Sequence, residues 1–250
     1  MFHVVIPARY AAARLPGKPL LKIGGRPLIQ WVWERAQACG AASVIIATDD
    51  GRIAKAARAF GAECAMTRAS HASGTDRVAE VAEQRRFADD EVIVNLQGDE
   101  PLIEPQLVAD LAAALRARAE FDISTAVAPV GSLEEFLDPN CVKVVRALDD
   151  CALYFSRAPL PWPREHSEAG RPSSFKGAWR HIGIYAYRMR SLRRFTAASP
   201  TPLEQTEKLE QLRALEHGMR IYCLALPQAP PAGVDTPADL ERLRAQLGGA

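Results

Sequence analysis

The stretch "SVIIATDDGRIAKAARAFGAECAM", residues 43–66, has the pattern of a strand, a helix and a second strand. An apolar run at its start predicts a buried strand, and residues 51–61 predict a helix closed by Gly61. Residues 62–66 predict the next strand. Two strands joined by a helix of this length form a βαβ unit, so this stretch predicts a largely parallel sheet covered by helices on both faces.

The same alternation extends along the chain in both directions. Further strands are predicted at residues 2–8, 91–96, 122–130, 180–188 and 220–226, and further helices at 27–40, 75–86, 104–118, 202–218 and 236–247. Residues 141–157 predict an antiparallel hairpin turning at Asp149 and Asp150, and residues 158–174 predict a long loop. We therefore expect one α/β domain over residues 1–250, with a mixed central sheet and a hairpin extension at about 141–180.

Composition narrows the class of protein. The 250 residues carry 31 Lys and Arg against 30 Asp and Glu, a balance that argues against a nucleic-acid partner, which calls for a basic stripe. The five cysteines are scattered without a C-x-x-C pair, which is typical of buried thiols in a reducing compartment. We find no signal-peptide pattern and no membrane-length apolar run, and we expect a cytoplasmic protein without a membrane partner.

A loop rich in positive charge follows the first strand. Arg9, Arg14 and Lys18 lie within ten residues, among prolines and beside Gly17. The loop sits at the carboxyl end of a strand, where parallel sheets bind ligands, so it indicates a polyanion such as a triphosphate. It does not match the G-x-x-x-x-G-K-[ST] phosphate-binding loop. A solvated basic loop is the alternative.

Two turns carry candidate acids. Asp99 and Glu100 follow the strand at 91–96 on a turn with Gly98, a position suited to a Mg²⁺ ion that bridges phosphates. An ordinary turn is the alternative. Asp235 begins an Asp-Thr-Pro sequence typical of a helix start, so its own neighbourhood favours a structural role.

Small residues precede the helix predicted at 75–86. Backbone amides of residues 73–75 could face a nucleotide, with Arg77 projecting from the first turn. The alternative is Thr75 as a helix cap and Arg77 as a surface residue. At the end of the strand that opens the 43–66 stretch, Asp50 is predicted to cap a helix, and the role of Asp49 stays open.

Taken together, the motifs resemble one family. In chain order they are "IPARYAAARLPGKPL", "ATDD", "AMTRASHASGTDR", "VNLQGDEP", "NCVKVV", "ALYFSRAPLPW", "RHIGIYAYR", "LEQLRALEHG" and "GVDTPADLERLR". This set resembles the 3-deoxy-manno-octulosonate (Kdo) cytidylyltransferase family and spans nearly the whole chain. The resemblance implies a three-layer nucleotide-diphospho-sugar transferase-like (Rossmann-like) fold, Mg²⁺ dependence and a homodimer. The implied reaction is CTP + Kdo → CMP-Kdo + pyrophosphate, which activates Kdo for lipopolysaccharide biosynthesis.

The resemblance also implies roles for individual residues. Lys18, Asp99 and Asp235 would be catalytic, with the two acids holding Mg²⁺. The residues implied to bind the nucleotide are Ala8, Arg9, Arg14, Lys18, Ser73, Gly74, Thr75, Arg77 and Gln97. Those implied to bind the sugar are Arg157, His181, Tyr185, Glu210 and Gln211. On their own patterns, Tyr185 is equally consistent with core packing, and Glu210 and Gln211 with a solvated helix face.

The chain departs from the family at two places, and other functions remain open. The family often has Glu where Asp76 stands, and residues 158–179 differ enough that no site is carried over from them. One alternative is a cytidylyltransferase for a sialic acid or for methylerythritol phosphate; "RHIGIYAYR" and "LEQLRALEHG" favour Kdo. Another is a nucleotide-binding or structural protein without catalysis, which need not keep Lys18, Asp99 and Asp235 together.

Overall fold

The alternation of strands and helices is confirmed in the computed structural model, which describes residues 1–11, 15–165, 167–168 and 171–247. The strands are β1 Phe2–Ala8, β2 Lys22–Ile23, β3 Arg26–Pro27, β4 Ser43–Thr48, β5 Glu63–Met66, β6 Val92–Asn95, β7 Ile123–Pro129, β8 Lys143–Arg146, β9 Ala152–Ser156, β10 Ser167–Glu168, β11 Arg171–Pro172, β12 Trp179–Arg188 and β13 Ile221–Ala225. The α-helices are α1 Leu28–Gln37, α2 Gly51–Ala59, α3 Gly74–Gln84, α4 Pro105–Ala117, α5 Leu133–Leu137, α6 Met189–Ala197, α7 Pro202–Glu207, α8 Gln211–Glu216 and α9 Pro237–Leu247.

The central sheet is mixed and mostly parallel, as predicted. Its strands run in the order β13-β7-β12-β6-β1-β4-β5, with the β8–β9 hairpin attached at β12. β1 pairs in parallel with β4 and β6, and β13 pairs in parallel with β7. β12 runs antiparallel to both β6 and β7. The carboxyl ends of β1, β4 and β6 therefore meet at one edge of the sheet.

Helices cover both faces of this sheet. Val4 and Ile6 of β1 belong to a core cluster that includes the apolar faces of α1 and α4. Val5, between them, belongs to a second cluster that includes α3 and α6. Every residue of β1 is buried, as expected for a parallel strand between two helical layers. The layered α/β architecture of the sequence prediction is confirmed.

One predicted helix is wrong in detail. Residues 202–218 form two helices, α7 and α8, rather than a single one. Lys208 lies between them with a φ of 55°, a left-handed conformation that a right-handed helix cannot continue through. The apolar spacing of Leu209, Leu212 and Leu215 resembles one uninterrupted helix, and neither glycine nor proline marks the break.

The hairpin prediction is confirmed, and the loop after it contains more structure than expected. β8 and β9 pair antiparallel, with Asp150 in the turn at a φ of 62°. Within the predicted loop 158–174, β10 and β11 form a short antiparallel ladder; residues 166, 169 and 170 lie outside the described part. In the ranges that the structure describes, no helix is both long and apolar enough to cross a membrane.

Candidate functional site

A cleft opens at the carboxyl edge of β1 and β6. The residues that line it are Pro7, Ala8, Arg9, Lys18, Pro19, Gly74, Gln97, Gly98 and Asp99. Five of the residues predicted to bind the nucleotide, namely Ala8, Arg9, Lys18, Gly74 and Gln97, are in this lining. Arg14 lies outside the described residues. The topology thus brings together residues from the first strand, its loop, the start of α3 and the end of β6.

Lys18, Asp99 and Asp235 converge at this cleft from distant parts of the chain. The Lys18 Nζ donates to Asp99 Oδ2 at 2.6 Å and to Asp235 Oδ1 at 3.0 Å. The Lys18 side chain is buried, which acts to lower its pKa, but the two carboxylates raise that pKa above its ordinary value. The lysine is therefore charged at neutral pH and holds the two acids together.

Gly233 allows the turn that carries Asp235 to lie against the turn after β6. Val234 N donates to Asp99 O at 2.9 Å, which joins the turn at 233–235 to the turn after β6. A Cβ added at Gly233 would lie 2.9 Å from Asp99 O and 2.8 Å from Glu100 Oε1, so a larger residue cannot fit without movement. Glycine has no Cβ, and this lets the two turns approach each other closely.

Asp235 also takes part in a helix start, as its local sequence indicates. Its backbone N–H and that of Thr236 donate to Asp239 Oδ2, at 3.1 and 2.9 Å. The Asp239 N–H donates back to Thr236 Oγ1 at 3.2 Å, a reciprocal cap at the start of α9. The backbone N–H of Asp235 takes part in capping α9, and the side chain of the same residue accepts from Lys18.

Glu100 adds a third acid to the cluster. Burial, followed by the neighbouring charges of Asp99 and Asp235, raises the pKa of Glu100 to about 7. Lys18 and Arg180 are the cations that act on Glu100, so three acids stand against two bases at this point. These three acids do not form a group that could hold a metal ion by itself, and no other group of three or more His, Cys, Asp or Glu side chains within the described ranges does so. The carboxylate oxygens can supply some ligands of a metal ion, and the substrate or water would have to supply the others.

The loop before α3 is held by a capping box. Ser73 Oγ accepts from Asp76 N at 3.1 Å, and Asp76 Oδ2 accepts from Ser73 N at 3.0 Å. Ser73, not Thr75, is therefore the helix cap. Aspartate also performs the capping at the position where the family often has Glu. Gly74 faces the cleft, where its Cβ position lies 3.4 Å from Pro7 Cγ.

Arg77 is buried, so the alternative interpretation of Arg77 as a surface residue is wrong. It is fully buried, and its Nη2 donates to Asp49 Oδ2 at 3.1 Å while Nη1 donates to Thr67 Oγ1. Asp49 thereby gains a role that its sequence left open. Asp50 is confirmed as the cap of α2, because its Oδ1 accepts from Arg52 N at 2.8 Å.

His181 and Tyr185 lie side by side on β12. Their ring centroids are 5.3 Å apart, and the His181 ring also meets Phe155 edge-on at 5.1 Å. His181 Nε2 lies 3.0 Å from Thr125 Oγ1. Burial, assisted by the charge of Arg180, lowers the pKa of His181 to about 3, so the imidazole is neutral at pH 7. Burial raises the pKa of Tyr185, which keeps its hydroxyl protonated.

Glu210 lies near Tyr185, where its charge adds to the rise in the pKa of that tyrosine, and it is bonded to the first turn of α3. Its Oε2 accepts from Thr75 Oγ1 at 2.8 Å, and its buried Oε1 has no hydrogen-bond partner within the described ranges. Burial raises the pKa of Glu210 against the opposing hydrogen bonds from Ser73 and Thr75. Gln211 is buried, so the pair does not form a solvated helix face.

Arg157 is held by a different set of contacts. Its Nε donates to Glu207 O at 2.7 Å, and its Nη1 donates to Pro139 O at 2.8 Å. The Glu207 carboxylate accepts from the Arg157 backbone N–H at 2.9 Å. These bonds connect Arg157 to the chain around residues 139 and 207 rather than to His181 or Tyr185.

Comparison with known proteins gives a consistent result. A family model described as cytidylyltransferase matches residues 3–221. A 3-deoxy-manno-octulosonate cytidylyltransferase from Thioalkalivibrio sulfidiphilus is 53% identical over 246 residues, with 98% of each chain covered. A protein of the same name from Pseudomonas fluorescens is 52% identical over 248 residues, again with 98% of each chain covered.

A solved structure shows the same fold. It is described as CMP:2-keto-3-deoxy-manno-octonic acid synthetase complexed with CTP, and it matches with a TM-score of 0.89. The two sequences are 44% identical, and the match covers 99% of this chain and 98% of the other. The chain therefore belongs to the cytidylyltransferase family, and within it to the 3-deoxy-manno-octulosonate cytidylyltransferases.

Proposed function

We propose that the chain catalyses the reaction CTP + Kdo → CMP-Kdo + pyrophosphate and thereby supplies activated Kdo for lipopolysaccharide biosynthesis. The observation that carries the proposal is the convergence of Lys18, Asp99 and Asp235 beside a cleft at the carboxyl edge of the sheet. The names of relatives that match over nearly the full chain support the choice of nucleotide and sugar.

The chemistry is an in-line displacement at phosphorus. The anomeric hydroxyl of Kdo loses its proton to solvent as its oxygen attacks the α-phosphorus of CTP. The bond from that phosphorus to the bridging oxygen breaks, and pyrophosphate leaves. Little covalent work falls to the protein, so positioning and charge neutralisation provide most of the catalysis. Lys18 would neutralise negative charge at the α-phosphate as it develops, while Arg9 and Arg14 bind the rest of the triphosphate.

Asp99 and Asp235 would hold a Mg²⁺ ion. The donor chemistry fits, because Mg²⁺ prefers carboxylate oxygens and is commonly held by one or two of them together with substrate phosphates. The excess of acids around Lys18 also favours a cation there. Bound Mg²⁺ would lower the pKa of the attacking hydroxyl and screen the phosphates from the carboxylate of Kdo. Lys18, which bridges the two acids, would then turn towards the phosphates.

The remaining assignments divide the cleft into two parts. Gln97, the loop at 73–75, Arg77 and the backbone near Ala8 would surround cytosine and ribose. Gln97, Gly74 and Ala8 line the first cleft, and Arg77 lines a second one that shares Arg9 with it. The sugar acid needs cations and hydrogen-bonding groups, which Arg157, His181, Tyr185, Glu210 and Gln211 would supply. The bond from Thr75 to Glu210 connects the two parts.

The proposed enzyme is a single-domain homodimer that works in the cytoplasm without a nucleic-acid or membrane partner. The β8–β9 hairpin is the proposed subunit contact, because Leu148 in its turn and Leu153 on β9 are large apolar side chains exposed to solvent.

Pyrophosphate release by the purified protein tests the proposal. We expect turnover with CTP, Mg²⁺ and Kdo, and little or none when a sialic acid or methylerythritol phosphate replaces Kdo. Turnover that prefers either substitute, or none with Kdo, contradicts the assigned activity.

Substitution of one acid tests the metal assignment. Asp99→Asn should reduce turnover by at least a thousandfold while CTP still binds weakly, because the amide is a poor Mg²⁺ ligand but keeps the shape of the side chain. Asp110→Asn, at an exposed position on α4, is the matched control and should behave like the wild type. An Asp99→Asn variant with wild-type turnover would show that this carboxylate holds no catalytic ion.

A further inference from the structure

Tyr10 closes the base of the loop that carries the positive charges. Gly17 N donates to Tyr10 O at 2.8 Å, so the two ends of the loop are joined by a backbone hydrogen bond. Arg9 stands immediately before this bond and Lys18 immediately after it. Any change in the Tyr10–Gly17 contact therefore shifts the two cations relative to each other.

The ring of Tyr10 packs against Gly17. Gly17 has a φ of 70°, a conformation that favours glycine, and a Cβ placed there would lie 3.2 Å from three atoms of the Tyr10 side chain. The ring thus contacts the glycine directly. The hydrogen bond joins the backbones of Tyr10 and Gly17, and the ring packs against the glycine.

Arg52 holds the ring from outside the loop. Its guanidinium carbon lies 3.3 Å from the centroid of the Tyr10 ring. The same guanidinium is anchored by two bonds to Asp50, from Nε to Oδ1 at 3.0 Å and from Nη2 to Oδ2 at 2.6 Å. Asp50 is itself fixed as the cap of α2. A stiff helix start therefore supports the loop through one arginine and one aromatic ring.

The clamp borders the proposed nucleotide site. Arg9, Tyr10, Arg52 and Arg77 line a second cleft next to the first one, and Arg9 belongs to the lining of both. We propose that Arg52 is a positioning residue for CTP: it presses Tyr10 onto Gly17 and so keeps Arg9 and Lys18 at the spacing that a triphosphate requires. The proposal rests on the proposed function insofar as these two cations bind the phosphates.

A purely structural surface ion pair is the competing explanation, since the Arg52 side chain is 60% exposed. Such a pair contributes little to binding or stability. The stacking on Tyr10 distinguishes the two explanations, because a cation over an aromatic face also fixes the position of the ring. The effect should then appear in the affinity for CTP and not in the stability of the fold.

Kinetics of Arg52→Ala provide the first test. We expect the KM for CTP to rise about fivefold, the size of effect a partly exposed cation–π contact supports, while the KM for Kdo stays close to wild type. The kcat should fall as well, because Lys18 neutralises charge that develops in the transition state. Tyr10→Leu should give the same change, and Tyr10→Phe, which keeps the ring, should behave like the wild type. In the double variant Tyr10→Leu, Arg52→Ala, the two changes should not add, because each breaks the same contact.

A second measurement does not depend on turnover. Hydrogen exchange of the Gly17 amide, followed by NMR on protein labelled with ¹⁵N-glycine, should be faster in Arg52→Ala than in Arg58→Ala. Arg58 is an exposed arginine at the other end of α2 and serves as the matched control. Unchanged melting temperatures would exclude general destabilisation.

The proposal is overturned if Arg52→Ala and Arg58→Ala show the same Gly17 exchange and the same KM for CTP. It is also overturned if Arg52→Ala raises the KM for Kdo as much as that for CTP. Failure of the wild-type protein to use Kdo would instead refute the proposed function, and the exchange experiment would still decide the role of Arg52.

Discussion

Gly98 brings the turn after β6 against the first strand. A Cβ at this position would lie 2.9 Å from Pro7 O, a backbone atom that cannot move aside without moving β1, and 3.3 Å from Cδ1 of the buried Ile29. Gly98→Ala should therefore lower the free energy of unfolding by about 1–3 kcal/mol, the usual cost of overpacking. Urea denaturation measures this change.

Gly51→Ala is the control for that experiment. Gly51 begins α2, has no neighbour within 4 Å of its Cβ position and has no positive φ, so alanine should be tolerated there. Equal stability losses at positions 98 and 51 would show that the close approach at Gly98 carries no strain.

Asp49 and Asp50 are adjacent but should differ sharply in their effect on stability. Asp49→Ala leaves the guanidinium of Arg77, whose side chain is 1% exposed, without its carboxylate partner, and should cost about 3 kcal/mol. Asp50→Ala removes a helix cap and should cost about 1 kcal/mol. Urea denaturation of both variants checks the order. The reverse order would show that Arg77 does not need its ion pair.

Asp235 has two roles, and its neighbours in the sequence predict only one of them. Its neighbours Thr236 and Pro237 indicate a helix start, which is confirmed at the backbone. The contact of its side chain with Lys18 spans 217 positions and leaves no trace in the local pattern. Only the resemblance of the whole chain to a family could point to it. The helix cap before α3, by contrast, is local: the sequence offers Thr75 as a cap, and the structure has the cap two residues earlier, at Ser73.

At the scale of elements, β-strands flanked by helices were predictable because their apolar runs are long and end at turn residues. The bounds of β1 match the predicted residues 2–8. The sequence pattern does not predict α6, because this helix follows β12 directly at Met189 and no glycine or proline separates the two elements. The break between α7 and α8 also lacks a sequence signal, because lysine is not a residue type that usually adopts the left-handed conformation seen at Lys208.

The pair Glu204 and Arg213 joins α7 to α8 across that break. Arg213 Nε donates to Glu204 Oε2 at 2.8 Å, and both side chains are largely buried. Burial acts to raise the pKa of Glu204, but hydrogen bonds from Arg213 and from Thr201 N outweigh it and lower that pKa from its ordinary value of 4.5. A lowered folded-state pKa contributes stability above the unfolded value, and this is lost as the pH falls through the folded value.

Glu204→Gln should therefore destabilise the protein by about 1–2 kcal/mol at pH 7 and by progressively less below about pH 4.5. Denaturant titrations of both proteins between pH 7 and pH 3 measure the difference. A constant difference across this range would mean that the carboxylate charge does not stabilise the junction of the two helices.

At the scale of the molecule, the order of strands could not be predicted from local patterns. The alternation of strands and helices indicated parallel pairing, but β12 lies antiparallel between β6 and β7, although it follows the hairpin in the chain. This placement puts Tyr185 opposite Asn95 on β6, next to the end of the strand that leads to Gln97 and Asp99. This one antiparallel strand therefore places His181 and Tyr185, which are proposed to bind the sugar, beside residues proposed to bind the nucleotide.

The proposed homodimer gives the last prediction, at the same scale. Leu148 is fully exposed and Leu153 is 59% exposed, and Leu148 lines a groove together with Val145, Pro161 and Trp179. Burial of such side chains against a second chain is favourable at about 25 cal/mol per Å² of apolar surface. Leu148→Glu combined with Leu153→Glu should thus convert a dimer to a monomer, as measured by light scattering after gel filtration. Leu203→Glu, which changes an exposed leucine on α7, should leave the dimer intact. A wild-type monomer, or a double variant that stays dimeric, would refute the hairpin as the subunit contact.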